Sequence, residues 1–270
     1  MVNASANFSG TIPDYYDRYM GPAWFEALGA DLAGRLPANS PGDVLEIACG
    51  TGIVTRHLRE RLDPAHRLVA SDLSKAMLDY ARNKLAGRQG IDWREADATR
   101  LPFGDGEFGA VVCAFGVMFV PDKQAVFREA RRVLKADGRF LFNVWDRMEM
   151  NSHAVVYAGV MEELFPGDAD MRFTMPYEMH DPGQLRQLLS EAGFREERIE
   201  KKQIQIQGVS ARELAEGQIR GTPRSSLIEK RGVALEVVID KVAAALARIG
   251  GADPYRGMVN AVVVEARAVA

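Results

Sequence analysis

Cysteine is scarce in this chain: its 270 residues include two, Cys49 and Cys113, each inside an apolar, strand-like run. Two thiols so placed build no disulfide framework, and without His or Cys neighbours at close spacing they make no zinc site. A reducing, cytoplasmic setting fits such usage. Long hydrophobic runs are missing too. The longest, Ala110 to Val120, is too short to cross a bilayer, so no stable membrane insertion is expected. Met1 to Pro13 lack the charged start and apolar centre of a secretory signal. Positive charge is not in excess. A formal net charge of -3 gives no general attraction to a phosphate backbone, and Arg128, Arg131 and Arg132, at helical spacing, read as a solvated face. Nucleic acid is therefore not the expected partner; a small molecule is. No His/Asp/Glu cluster has ligand spacing, so no metal is expected.

What is present suits a globular protein, with 47% apolar and 26% charged residues, enough to build a core. From Asp43 to Trp145 short apolar runs alternate with amphipathic helical patterns. Val44–Ala48 reads as a first strand, followed by a glycine turn and a helix from about Ile53 to Arg61. Leu68–Ser71 is a second strand, and Ser74 is placed as N-cap of a helix through Leu85. Ile91–Glu95 and the wholly apolar Ala110–Ala114 are the third and fourth strands. A helix over Lys123–Leu134 stops at Asp137-Gly138, and Arg139–Trp145 is the fifth strand. Strict alternation implies parallel pairing with right-handed crossovers, hence a doubly wound α/β sheet.

After Trp145 the pattern changes. A helical stretch, His153–Leu164, lies in a methionine-rich segment holding Met148, Met150, Met161, Met171, Met175 and Met179. Flexible thioethers suit an adaptable pocket wall or a core. Asp181-Pro182-Gly183-Gln184 opens a helix with the signature of a capping box, closed by Gly193. Arg195–Gln207 reads as a strand, Ser210–Ile249 as mostly helical, and Gly257–Ala266 as a last strand. The expected fold is a seven-stranded, mostly parallel, Rossmann-like sheet. Residues 1–270 form one domain, 43–145 its cofactor-binding core, and 146–180 and 208–250 cap the substrate side.

Function centres on Glu46-Ile47-Ala48-Cys49-Gly50-Thr51-Gly52, where the first strand turns into a helix. Glycines there let the backbone approach a ligand, and the helix N-terminus favours negative charge. Asp72 ends the second strand twenty residues after Gly52, where such folds hold ribose hydroxyls, and Asp97 follows the third. In an open parallel sheet the ligand lies beyond the carboxyl ends of the strands, so Glu46, Asp72 and Asp97 converge on one crevice. A dinucleotide would want a third glycine, but Gly50-Thr51-Gly52-Ile53-Val54 is followed by Thr55. An acid inside the first strand repels a pyrophosphate and welcomes a cation.

Val44 to Gly52 resembles the first motif of class I S-adenosylmethionine-dependent methyltransferases, most closely the type 11 group that includes ubiquinone/menaquinone C-methyltransferases. Ser71-Asp72-Leu73-Ser74 with Met77 resembles the second motif, Ala96-Asp97-Ala98 with Leu101-Pro102-Phe103 the third, and Arg132–Lys135 leading to Gly138 the approach to the fifth strand. The resemblance covers Asp43 to Trp145. It implies S-adenosyl-L-methionine as cofactor and S-adenosyl-L-homocysteine as product. It implies that Glu46 helps place the ammonium, that Gly50 and Gly52 pass beside the methionine end with Ala48 and Thr51 in the same turn, and that Asp72 holds the ribose diol. Leu73 and Met77 would pack on adenine, Asp97 and the Ala98 backbone would meet its amino group, and Phe115 would offer its carbonyl to the ammonium. Cys49 stands where many relatives carry glycine, as a structural thiol.

Methyl transfer from a sulfonium is an in-line displacement in which the protein aligns the acceptor and excludes water. Met118 after the fourth strand, Trp145 after the fifth, and Tyr15 and Tyr19 of an N-terminal aromatic run are the candidate acceptor contacts. His153 and His180 are candidate bases, with no catalytic residue assigned; His57 and His66 read as surface residues. The expected activity is methylation of a small, apolar or aromatic molecule. A non-catalytic cofactor-binding module, an aminopropyltransferase and an NAD(P)-dependent oxidoreductase are the rival readings. The uncharged Cys113–Val120 speaks against the second, Glu46 and Thr55 against the third.

Overall fold

The computed structural model describes residues 8, 10–37 and 42–269. Seven strands form one sheet in the order β3-β2-β1-β4-β5-β7-β6, with β1 Val44–Ile47, β2 Leu68–Asp72, β3 Ile91–Glu95, β4 Phe108–Ala114, β5 Leu134–Trp145, β6 Phe194–Gln205 and β7 Met258–Ala268. The first five pair in parallel, whereas β7 is antiparallel to both β5 and β6. This is the expected α/β sheet. The chain order reverses between β1 and β4, and the carboxyl ends of β1 to β5 share one edge, the place where this architecture leaves a crevice.

Period-two alternation sends Leu45, Ile47, Val111, Cys113, Phe140 and Phe142 into one core, while Val44, Ala110, Val112, Leu141 and Val263 enter the other. Both faces are thus covered, as a parallel sheet requires. The helix Lys123–Val133 buries Val126, Phe127, Ala130 and Val133 and is capped by Asp122, whose carboxylate accepts the Ala125 N–H at 2.9 Å. Ser74 caps Lys75–Lys84 as its position predicts. Asp181 accepts the Gln184 N–H at 2.9 Å, but the reciprocal capping box forms at Ser210 and Glu213 instead.

Two departures from the sequence pattern are the largest. β5 begins at Leu134 rather than Arg139, because buried Leu134 pairs with Phe108 before the register shifts between Phe108 and Ala110. The stretch after Ser210 is three helices, Ala211–Arg220, Arg224–Lys230 and Leu235–Gly250. These helices and Ser152–Leu164 share a core with the sheet. Val156, Met161, Leu214, Ile228 and Val238 belong to the same core cluster as Phe127 and Phe140. Met161, Met171 and Met179 are buried in that cluster, and Met171 also lines a small cavity beside it.

Candidate active site

The turn after β1 and the turn after β4 touch. Ala48, Gly50 and Gly52 have φ of 54°, 54° and 80°, and Phe115 has φ of 52°, so two non-glycine residues hold left-handed backbone within one small region. Such strain persists only where the surroundings over-determine it. Here the buried Asn143 supplies that restraint, its Oδ1 accepting the Phe115 N–H at 3.0 Å. Gly116 supplies the close approach: a Cβ there would stand 2.4 Å from the Ala48 Cβ and 2.9 Å from the Cys113 Sγ. At Gly50, by contrast, an added Cβ would meet no heavy atom within 4 Å. The turn is open at that point.

Glu46 and Asp72 adjoin it, and Asp97 follows β3 on the same edge of the sheet. Asp72, at the end of β2, accepts the Gly50 N–H on Oδ2 and the Ser74 N–H on Oδ1, both at 2.8 Å. Burial raises its pKa, and these backbone donors pull it back. Glu46 is 1% exposed on β1, and its Oε2 has no hydrogen-bond partner. Burial, helped by the charge of Asp72 and tempered by the Thr55 hydroxyl, pushes its pKa from 4.5 to about 8. Asp97 is exposed after β3, one oxygen receiving the N–H and hydroxyl of Thr99 at 2.8 Å each. Thr51 Oγ1 is buried without a partner. Burial also keeps the Cys49 and Cys113 thiols neutral, in keeping with structural thiols.

Beyond this crest lies a cavity of about 780 Å³, mouth included, walled mainly by aromatic rings. Phe115 and Trp145, from the ends of β4 and β5, stack at 4.2 Å. Trp24 stands edge-on to Trp145 at 6.0 Å and stacks on His153 at 4.6 Å. Tyr16 stacks on Phe25 at 4.9 Å and feels the charge of Asp72, which with burial raises its pKa. Tyr16 therefore links the crest to the cavity.

Tyr16–Phe25 is wound as a π-helix, continuous with α-helical Ile12–Tyr15 and Glu26–Gly34. Bonding from i to i+5 enlarges the turn, so Tyr16, Met20, Trp24 and Phe25 fall on one face and line the cavity. Tyr15 and Tyr19 fall elsewhere, 5.8 Å from the guanidinium carbons of Arg220 and Arg18 respectively. Met118 and Trp145 do line the cavity.

Residues 45–142 match the family described as "Methyltransferase domain". A demethylmenaquinone methyltransferase of Deinococcus radiodurans is 33% identical over 183 residues, 64% of this chain and 74% of that protein. A ubiquinone/menaquinone biosynthesis C-methyltransferase of Stenotrophomonas maltophilia is 32% identical over 168 residues, 57% of this chain and 66% of that protein. The chain belongs to the class I S-adenosylmethionine-dependent methyltransferases, type 11 group. It thus spans about two thirds to three quarters of the length of these relatives. A Bacillus halodurans protein described as a candidate methyltransferase has the same fold, with a TM-score of 0.60 at 20% identity over 90% of this chain and 99% of that one.

As a methyltransferase the chain takes S-adenosylmethionine as cofactor, and its residues fit that group. The nucleoside carries an ammonium and a sulfonium. The crest offers a buried carboxyl with an unused oxygen, an orphaned Thr51 hydroxyl and an open cradle at Gly50. Leu73 is 61% exposed, whereas Met77 is 4% exposed and packs inward. Ala98 is half-buried beside Asp97. Of the histidines, His153 lines the cavity and burial depresses its pKa from 6.5 to about 3. His180 is outside the cavity lining, its Nδ1 2.7 Å from the Tyr177 carbonyl. His57 pairs with Glu26 at 3.0 Å, and both it and His66 are half-buried.

Sequence reasoning missed Asn143, which reads as one more residue of an apolar strand, and the wall formed by Tyr16, Trp24, Phe25 and Tyr157. A buried amide in the middle of Phe142-Asn143-Val144 was the signal for the first. No spacing rule announces a π-wound segment.

Proposed function

We propose that this methyltransferase acts on a small, flat, largely apolar molecule seated in the aromatic cavity. The observation that carries the reading is the position of Phe115 and Trp145: they wall the cavity, yet they stand at the ends of β4 and β5, on the sheet edge that bears the acids. An acceptor stacked on them lies next to the crest. The relatives are named for demethylmenaquinone and for ubiquinone/menaquinone, so ring compounds of that general shape are the first acceptors to try.

On this reading the crest residues divide the work of holding the cofactor. Asp72 receives the ribose hydroxyls, Asp97 and the Ala98 backbone face the adenine edge, and Leu73 packs on its face with the buried Met77 behind it. Glu46 faces the ammonium together with the Phe115 carbonyl, and the backbone of Ala48, Gly50, Thr51 and Gly52 forms the floor. When bound, the cofactor supplies an electrophilic methyl group and its own leaving group. The chain's task is alignment and exclusion of water, for which stacked rings on a rigid sheet edge are suited. His153 is neutral and presents Nδ1 without a partner; with so low a pKa it orients an acceptor hydroxyl better than it removes a proton. A metabolite-extract screen with isotopically labelled methyl donor, read by mass spectrometry, tests this. The label should appear on aromatic or quinonoid compounds; its appearance solely on polar, non-aromatic ones would refute the cavity as acceptor site.

A further inference from the structure

The cavity is not uniformly apolar. At the end formed by the cap, Arg224 lines it beside Tyr157 and Phe173. The guanidinium carbon sits 3.5 Å from the Phe173 ring centroid and 4.1 Å from that of Tyr157. Among the described residues no carboxylate pairs with it, and its Nε is buried without a hydrogen-bond partner. Asp170 shares a small adjoining cavity with Arg224, but it is held by Arg231 at 3.0 Å, which also holds Asp168 at 3.0 Å. Arg224 is therefore a half-buried positive charge whose neighbours are rings and the Tyr157 phenol, the pKa of which it draws down against burial.

Other polar atoms on the same wall are also unsatisfied. Trp24 Nε1, His153 Nδ1 and Gln218 Oε1 are buried and lack partners, in residues 3%, 2% and 6% exposed. Native interiors leave few such atoms unpaired, and a cation drawn from water normally finds an anion. Ring contact covers the faces of a guanidinium and leaves its N–H edge to form a fork suited to a carboxylate. We infer that the acceptor is a planar aromatic or quinonoid acid whose carboxylate is held by Arg224, with Arg224 the residue that selects for it. This inference rests on the cavity being the acceptor site and specifies the chemistry of its occupant.

The test is calorimetric titration of the protein saturated with S-adenosylhomocysteine, using 2-naphthoate and 2-naphthamide as probes of the same outline. The acid should bind on the order of tenfold tighter or better, the scale of a charged hydrogen bond. Arg224→Gln should level the two probes and Arg224→Lys should restore part of the difference, with the affinity for S-adenosylhomocysteine unchanged in both. Equal binding of acid and amide to the unaltered protein, or a preference that survives Arg224→Gln, overturns the inference and leaves the cavity reading intact. A matching fall in S-adenosylhomocysteine affinity would show that Arg224 serves the cofactor's own carboxylate, which also overturns it. If neither probe binds while S-adenosylhomocysteine does, the cavity reading itself fails.

Discussion

The turns after β1 and β4 take their shape from backbone: left-handed residues, two N–H groups on Asp72 and a contact at Gly116 too close for a Cβ. The aromatic cavity takes its shape from side chains sent by seven separate stretches, from Phe8 to Arg224. The first region is local in sequence, spanning Glu46 to Asn143, and sits on the rigid middle of the sheet. The second is assembled only when helices far apart in the chain pack together. Backbone-built sites suit a ligand common to a whole family, since few substitutions reach them. Sites built by side chains can be refitted to a new acceptor without disturbing the sheet.

The sharpest way to break that contrast is at Asp72. Asp72→Ala should weaken S-adenosylhomocysteine binding by about 1.5–3 kcal/mol, roughly ten- to a hundredfold, while binding of an aromatic probe falls far less; calorimetry with each ligand reads both. Equal losses would mean that crest and cavity are one unit. Gly116→Ala comes next. The new methyl meets Ala48 and the Cys113 sulfur, neither at the end of a flexible chain, so overpacking should cost about 1–3 kcal/mol in chemical denaturation. An unaltered midpoint would show that the two turns are free to separate.

Glu46 sharpens the comparison through protons. Its folded pKa of about 8 lies above the ordinary 4.5, so binding a cation should release a proton and affinity should climb between pH 6 and 8. Calorimetry in buffers of different ionisation enthalpy measures that release, and Glu46→Gln should abolish it. For stability the sign is opposite: the folded protein keeps a proton that the unfolded chain gives up, so Glu46 makes the fold less stable as pH rises from 4.5 to about 8. His153 should have the smallest effect. With a pKa depressed from 6.5 to about 3, it costs stability as pH falls below 6.5, because the unfolded ring protonates first. Melting curves of His153→Phe, which keeps a ring against Trp24, should fall less steeply between pH 6.5 and 4 than those of the parent.

Legibility in the sequence follows the same division. The strands, the glycine turn and Glu46, Asp72 and Asp97 were readable because each is a local signal: an alternation, a turn residue, an acid at a strand end. The cavity was readable only at its rim, through Met118 and Trp145, which flank predicted strands. Tyr15 and Tyr19 were the expected aromatics, and the structure sets them beside Arg220 and Arg18, off the row of Tyr16, Met20 and Trp24 that lines the cavity. Arg224 was invisible for another reason. An arginine on a short helix reads as solvated surface, and what distinguishes it is that no carboxylate among the described residues pairs with it, a property of tertiary packing alone.

The wide winding of residues 16–25 makes spacing a determinant of pocket shape. Tyr16 and Met20 share a face with the adjacent pair Trp24 and Phe25 only while four or five positions separate each of that pair from Met20. Losing one residue between Pro22 and Trp24 would carry two rings out of the wall without altering the identity of any of them, so a homologue with a one-residue gap here would have a different chamber behind an unchanged motif.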